Sequence, residues 1–385
     1  MKKLLLIMLS MIILTSCSVF DNKSNTQQAE NFQLSSVNDA YEGIDELEGS
    51  DFGNIKMPDH ITQTEVNELY KFSVINRKDA DNNEAERVFK AFFGDKYDEK
   101  RYIGKRDEND VYYFYGEETG DFGQYYNGNA SLKTADFTNG FQLSNIKHVY
   151  HIGSDDNESI ELSGDKLTVS QLGSSALERL TLIFSDAFSP FTIAPKDIFE
   201  YEDTSGDNCV QMICALEYNG LMLEEYVSPH TENSTRQKDG ADIMTFYQFN
   251  SIQLDLKKNN EYMFLLSSMP KTVTESKKIT ELISLKTATE LLKKELSSNS
   301  RYEFDDVRLM YCSKVTKPIY SMDMENGEEI LKELDNMSDE YVPTWCFICN
   351  DELSGYSRWS VKVNALTGEI TIDAPDGAAG VIFNE

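Results

Sequence analysis

Three segments of this 385-residue chain carry the spacing of amphipathic helices, and each is followed by runs typical of β-strands. Apolar residues recur in each segment at three- and four-residue intervals, which places them on one helix face. The three sets are Ala85, Val88, Phe89 and Phe92; Leu177, Leu180, Phe184 and Phe188; and Leu285, Ala288, Leu292 and Leu296. Candidate first residues or caps are Asn82 or Asn83, Ser174 and Ser175, and Ser284. Gly94 is suited to end the first helix.

The strand-like runs are rich in β-branched and aromatic residues. They lie at 111–115, 210–216, 221–227, 246–256, 262–266, 307–312, 341–349, 359–363 and 369–372. Asn219-Gly220 separates two of them and is a strong hairpin signal. Pro343 is expected at the start of an edge strand, because proline donates no ladder hydrogen bond.

A helix followed by antiparallel strands, repeated three times, predicts an α+β fold of tandem small units, each with a helix packed on an antiparallel sheet. The predicted units span residues 58–165, 166–272 and 273–385. Single alternation of strand and helix is missing, which argues against a parallel α/β sheet.

The composition favours a folded, acidic protein. Hydrophobic residues make up 40% of the chain, enough for sizeable cores, and 66 acidic against 36 basic residues give a formal charge of −30. Such a surface repels phosphate, so a nucleic-acid partner is not expected.

The first residues predict export. Met1-Lys2-Lys3 is a positively charged start, and the apolar run from Leu4 to Leu14 is too short to span a bilayer. The sequence Leu14-Thr15-Ser16-Cys17 resembles the lipobox of bacterial lipoproteins. That resemblance implies a signal peptide over residues 1–16, diacylglyceryl transfer to the Cys17 thiol, and an extracytoplasmic protein anchored to the cell membrane. Residues 17–57 are polar and acidic and are expected to form a flexible tether.

The third unit carries a partial family resemblance. It contains Tyr341-Val342-Pro343-Thr344-Trp345 and ends with Val363-Asn364-Ala365-Leu366-Thr367-Gly368-Glu369-Ile370. Together with the third helix, these elements resemble the PepSY-like fold and the C-terminal domain of YycH/YycI-type envelope regulatory proteins. The resemblance covers about a quarter of the chain and implies a non-catalytic module that binds or inhibits a partner protein. Asn364 stands where aspartate is usual, and residues 313–340 form a long insert.

No residue pattern predicts a catalytic, cofactor or metal site. His148 and His151 are three residues apart in a strand-like run, so they are expected on opposite faces. Five cysteines remain besides Cys17. Cys209, Cys214, Cys346 and Cys349 are interpreted as buried small residues, as partners in disulfides between different strands, or, for Cys346 and Cys349, as a redox or zinc pair.

A tyrosine-rich stretch is the candidate interaction surface. It consists of Tyr112, Tyr113, Tyr115, Tyr125 and Tyr126, and on a strand Tyr113 and Tyr115 share the face opposite Tyr112. The sequence therefore predicts a membrane-anchored, non-enzymatic lipoprotein that binds or regulates another envelope protein. Two alternatives stay open: an anchored solute or glycan receptor, and an envelope hydrolase without a recognised signature.

Overall fold

Strands make up more than half of the residues that the structure describes, and almost all of them pair in antiparallel sheets. The computed structural model describes residues 34–61, 63–64, 68–76, 82–97, 102–103, 112–116, 120–126, 129–134, 146–153, 155–162, 164–184, 188–203, 206–224, 236–238, 241–246, 252–257, 261–266, 271–296, 300–313, 320–323, 339–350 and 358–373. The described helices are α1 Ile44–Leu47, α2 Asn82–Phe93, α3 Val169–Phe184 and α4 Leu285–Glu295, with 3₁₀ turns at Val37–Asp39 and Gly94–Lys96. None of these helices is long and apolar enough to cross a bilayer.

The described strands are, in chain order, β1 Ser35–Ser36, β2 Ile55–Lys56, β3 Leu69–Asn76, β4 Tyr102–Ile103, β5 Tyr112–Tyr115, β6 Phe122–Tyr126, β7 Asn129–Lys133, β8 Ile146–His151, β9 Ser159–Leu162, β10 Asp165–Thr168, β11 Thr192–Glu202, β12 Asn208–Tyr218, β13 Leu221–Met222, β14 Arg236–Lys238, β15 Ala241–Phe246, β16 Ile252–Lys257, β17 Glu261–Leu266, β18 Lys271–Ile279, β19 Glu281–Leu282, β20 Tyr302–Glu303, β21 Asp306–Ser313, β22 Tyr320–Asp323, β23 Asp339–Asn350, β24 Arg358–Asn364 and β25 Ile370–Asp373. Among these strands every pairing is antiparallel except that of β2 with β20. Separate helices and antiparallel sheets confirm the predicted α+β class.

A ten-stranded sheet has the order β4-β5-β6-β7-β17-β16-β12-β11-β8, with β13 beside β12. One face packs on α2 and α3. Its buried side chains include Phe114, Leu132, Leu254, Met212 and Ile198. Gly123 on β6 allows the close approach of α2, because a Cβ atom there would lie 2.8 Å from the Phe89 ring.

A six-stranded sheet has the order β18-β3-β23-β24-β25, with β21 also paired to β23. Both faces of β23 are buried: Trp345 and Phe347 on one, Cys346 and Ile348 on the other. Trp345 is a central packing residue, because its Nε1–H donates to the Ile283 carbonyl at 2.7 Å and its ring meets Tyr41 edge-on at 5.1 Å.

Pro343 lies within β23, not at the start of an edge strand as predicted. It pairs with Tyr311 of β21, and its carbonyl accepts from Ala365 N at 2.9 Å. Along the opposite side of β23, pairing with β3 ends at Tyr341 and pairing with β24 begins at Thr344. Pro343 thus lies between the last residue paired with β3 and the first residue paired with β24. Proline is tolerated there because no ladder hydrogen bond on that side needs its missing N–H.

The predicted tether is wrong over residues 34–57, which belong to the folded part. β1 pairs with β19, and β2 pairs with β20. Five apolar side chains of this segment are buried: Ala40, Ile44, Leu47, Ile55 and Met57. The many acidic residues made this segment read as a tether, although their side chains stay in solvent while the few apolar side chains are buried.

The predicted unit boundaries do not coincide with the sheets. The segment 58–165 contributes β5, β6 and β7 to the ten-stranded sheet and β3 to the six-stranded one. β17, from the segment 166–272, pairs with β7. The two sheets are also joined where Leu223, just after β13, forms a parallel bridge with Tyr311 of β21.

Two of the three helix predictions are confirmed in position. The apolar set of α2 is buried and Gly94 follows it with φ +55°, while Ser284 caps α4 by accepting from Thr287 N. The Asn219-Gly220 turn is also confirmed, with φ of 51° and 81°. The second predicted helix, α3, begins at Val169, earlier than Ser174, because Thr168 and Gln171 form a capping box. Of its predicted apolar set, Leu177 is exposed, whereas Leu180 and Phe184 are buried.

Helices α2 and α3 are linked by a reciprocal pair of arginines. The Arg179 guanidinium donates to the carbonyls of Ala91 and Phe92 at 3.1 and 2.7 Å. The Arg87 guanidinium donates to those of Ile183 and Phe184 at 3.0 and 3.3 Å. Each arginine therefore satisfies last-turn carbonyls of the other helix, where a positive charge is favoured.

Replacing Arg179 by Met is expected to lower the free energy of unfolding by about 1–3 kcal/mol, because two charge-assisted hydrogen bonds are lost. Arg179→Lys should restore only part of that loss, since one ammonium does not reproduce the planar fork. Urea denaturation measures the effect, with Lys166→Met on exposed β10 as the control. An unchanged midpoint for Arg179→Met would contradict this role.

A candidate binding cleft between the two sheets

A cleft of about 320 Å³ opens where edge strand β8 of the ten-stranded sheet meets the β2–β20 pair and the start of β21. Its lining residues are Lys56, Met57, Pro58, Asp59, His60, His151, Glu303, Phe304, Asp305, Asp306 and Arg308. Three segments distant in sequence therefore build one concave, polar surface.

Two of these segments are held side by side by the backbone. Tyr302 N donates to the Asn54 carbonyl at 2.8 Å, and Phe304 N donates to the Lys56 carbonyl at 3.0 Å. Apolar side chains anchor both segments, since Met57 and Phe304 are buried. The polar residues of these two segments are therefore held on a backbone that is fixed from both sides.

His151 is one of the two histidines that line the cleft, and a buried carboxylate orients its imidazole. The register of β8 and β11 places His151 opposite Asp197, and Nδ1 lies 2.7 Å from Asp197 Oδ1. The imidazole is 22% exposed, and the carboxylate only 2%. Lys196 Nζ lies 3.9 Å from the second Asp197 oxygen. Chemically, a carboxylate-oriented imidazole can bind a polar group or accept a proton.

The opposite wall carries paired charges. The Arg308 guanidinium contacts the Asp306 carboxylate, and both side chains are largely buried. At the mouth, His60 Nδ1 lies 3.0 Å from Glu48 Oε1, and that same oxygen accepts from Ile61 N at 2.9 Å. These contacts fix the loop that closes one end of the cleft.

The cleft has an acidic rim. Four of its lining residues are carboxylates and two are lysine or arginine. Asp59, Glu303 and Asp305 are exposed, as is Lys56, whereas Arg308 is buried against its own carboxylate. Glu303 is paired with Arg301, whose Nε lies 2.6 Å from Glu303 Oε1. The excess of exposed carboxylates makes the site suited to a positively charged group.

The tyrosine-rich surface is divided between two faces of the ten-stranded sheet, as predicted for its first strand. Tyr112 and Tyr125 are buried, while Tyr113 and Tyr115 are half-buried on the opposite face with ring centroids 6.1 Å apart and nearly parallel planes. Phe122 adds a ring 5.4 Å from Tyr115. The side chain of Tyr126 lies outside the described residues.

Register continues this face across the sheet to the cleft. Tyr113, Gln124 and Ser131 stand in one row on β5, β6 and β7, and Ile213, Asp197 and His151 end the same row on β12, β11 and β8. The aromatic rings and the His151 cleft therefore occupy the two ends of one sheet face, opposite the helices.

The remaining predicted site residues have definite places. Cys209 and Cys214 lie on β12, Cys346 and Cys349 lie on β23, and all four are buried thiols. Within each strand the two sulfurs point to opposite faces, so any bridge must join different strands. That disulfide expectation stays a prediction, and Cys17 lies outside the described residues. Within the described ranges, no group of three or more His, Cys, Asp or Glu side chains is arranged to hold a metal ion.

The sequence missed the cleft. The sequence around His148 and His151 predicts that both lie on one strand, and the structure places both on β8. Asp197 and Arg308 carried no local signal, because their partners come from pairing between distant strands.

No protein-family model matches the chain, and no curated protein matches it. Its fold is similar to the crystal structure, at 1.45 Å resolution, of an uncharacterized protein from Eubacterium rectale ATCC 33656. The TM-score is 0.51 at 12% identity, and the similarity covers 83% of this chain and 90% of the other. At this identity the likeness concerns the fold alone.

Proposed function

We propose that the protein is an extracytoplasmic lipoprotein, anchored to the membrane through Cys17, that binds a basic segment of another envelope protein in the His151 cleft. One observation carries the choice of ligand: Asp59 and Asp305 are exposed carboxylates on a concave site whose Arg308 is already paired with Asp306. A lysine or arginine side chain of a partner would find complementary charge there.

The construction of the cleft supports binding. Its walls come from the ten-stranded sheet, the six-stranded sheet and the β2–β20 pair, and are fixed by backbone hydrogen bonds and buried anchors, so little order must be gained when a ligand enters. Such a preformed, concave, polar surface is typical of a binding site.

The C-terminal strands support a regulatory, non-enzymatic role for the module. We infer that α4 with β21, β23, β24 and β25 is a PepSY-like helix-on-sheet module. Ser284 caps the helix, Asn364 Oδ1 accepts from Leu366 N at 2.9 Å in the final hairpin, and Gly368 has φ +72°. Asn364 therefore forms the turn that aspartate would form, so the asparagine at this position is compatible with the PepSY-like hairpin.

Removing the rim charges should weaken binding of a basic ligand. We expect a lysine-rich decapeptide to bind the Asp59→Asn/Asp305→Asn double variant about tenfold more weakly than the parent protein, because two attractive charges are lost. Raising the salt concentration should weaken binding to both. Calorimetric titration measures the dissociation constants.

The matched control is Glu275→Gln/Glu281→Gln, which changes the net charge equally at exposed positions on β18 and β19. If both double variants lose affinity to the same extent, the overall charge of the protein and not the cleft attracts the peptide.

A glycan-binding function is the second candidate, favoured by the Tyr113–Tyr115–Phe122 ring row. Aromatic rings on a half-exposed sheet face can stack against sugar rings. A glycan array separates the two candidates, because only this one predicts a hit that Tyr113→Ala abolishes and Asp305→Asn leaves intact.

A further inference from the structure

Two buried thiols meet on the six-stranded sheet, away from the cleft. Cys312 of β21 and Cys346 of β23 have their Sγ atoms 3.4 Å apart. Both residues are buried, at 5% and 3% exposure. Cys349 lies three residues beyond Cys346 and therefore on the opposite face of β23.

The contact arises from the curvature of the sheet. Register pairs Cys312 with Val342 and Cys346 with Arg308, so the two cysteines lie on the same face of neighbouring strands but four residues out of register. Lys362 of β24 contacts Glu224, beyond β21, across this same face. Both long diagonal contacts indicate a concave face that brings distant side chains together.

The surroundings of the thiols are apolar. Met310 and Ile348 are buried in the same cluster, and Met222 packs against it from β13. This cluster lies where the ten-stranded sheet joins the six-stranded one through the bridge between Leu223 and Tyr311. A link between β21 and β23 would therefore brace the junction of the two sheets.

We propose that Cys312 and Cys346 are joined by a disulfide in the exported protein. An oxidised dithiol partner supplies the oxidising equivalents: one cysteine thiolate attacks the partner's disulfide, and the second displaces the partner from the mixed disulfide. Both cysteines lose their protons, one S–S bond forms between them, and the two electrons reduce the partner, which leaves as a dithiol. Outside the cytoplasm such a bond persists.

The sulfurs must approach from 3.4 Å to about 2.05 Å, and because the cysteines are four residues out of register, β21 and β23 must also shift to bring the two Cα atoms within disulfide reach. Burial raises the pKa of the Cys312 thiol, and its neighbour Cys346 adds to that effect. The thiolate needed for exchange is therefore scarce in the closed sheet. We accordingly place oxidation before β21 and β23 close, during folding.

The test refolds the full-length lipoprotein, extracted from membranes, in a mixture of oxidised and reduced glutathione. Free thiols are then alkylated under denaturing conditions, and the peptides are mapped by mass spectrometry. We expect the peptides of Cys312 and Cys346 to be linked, and the oxidised protein to melt about 5 °C above the reduced one. The Cys349→Ala variant should keep the link, and Cys312→Ala should leave Cys346 alkylated.

Free Cys312 and Cys346 after oxidative refolding, or a bridge mapped to any other pair, would overturn the proposal. The peptide map of the parent protein decides the question even if a variant fails to fold.

Discussion

Asp255→Asn should stabilise the protein at pH 8 and destabilise it slightly at pH 4. Asp255 is fully buried in β16, and Gln211 Nε2 donates to its Oδ1 at 2.9 Å. Its Oδ2 has no hydrogen-bond partner within the described structure. Burial raises the pKa of this carboxyl from 3.8 to about 7, and the Gln211 amide only partly opposes that rise. Tyr201 faces it, and burial raises the pKa of that phenol too, so it stays neutral.

The sign follows from the two pKa values. Below pH 3.8 the carboxyl is protonated whether the chain is folded or unfolded, so the free energy of unfolding does not depend on it. Between pH 3.8 and about 7 the Asp255 carboxyl ionises in the unfolded chain but stays protonated in the folded one, so the free energy of unfolding falls as pH rises. Above about pH 7 the carboxyl is ionised in both states, and its burial lowers the free energy of unfolding by an amount on the order of 4 kcal/mol.

The asparagine variant removes that charge but buries an amide N–H pair, which costs about 1–3 kcal/mol. We therefore expect a net gain of about 1–3 kcal/mol at pH 8 and a small loss at pH 4. Urea denaturation across this pH range measures both. Asp165→Asn on exposed β10 serves as the control. If the difference in stability between Asp255→Asn and the parent protein stays constant from pH 4 to pH 8, the pKa of the Asp255 carboxyl is not raised by burial.

Cys17→Ala should move the protein out of the membrane fraction almost completely. Two acyl chains on Cys17 would give stable anchoring, whereas the described helices offer no spanning segment. Fractionation of cells that express the parent and the variant measures the shift, and metabolic labelling with a fatty acid should mark only the parent.

A Cys349→Ala variant controls for the loss of any cysteine, because that residue is buried in β23. Membrane retention of Cys17→Ala, or labelling of that variant by the fatty acid, would contradict lipid attachment at Cys17.

Local signals in the sequence predicted local structure. The stripe of α2 and the serine cap of α4 act within a few residues, and the structure confirms both. The error at the start of α3 has the same local cause, since Thr168 and Gln171 cap it ahead of the serines that seemed suited to do so. Capping is decided by which residue reaches the free N–H groups, and several candidates stood in a row.

Long-range structure was not predictable in the same way. The unit boundaries failed because β3 pairs with β18 and β23, strands much later in the chain. The folded segment 34–57 depends on partners such as Trp345 and β20, which its own composition does not reveal. The cleft was not predictable for the same reason, because His151 contacts Asp197 only through the pairing of β8 with β11.

The most direct test of the proposed function places a photo-crosslinking amino acid at Asp305, on the exposed rim of the cleft, in living cells. The same probe at Glu275, exposed on β18, is the matched control. We expect the Asp305 probe to capture a specific envelope protein through a lysine- or arginine-rich peptide, and the Glu275 probe to miss it. The same adducts from both positions, or none from Asp305, would contradict a basic partner in the His151 cleft.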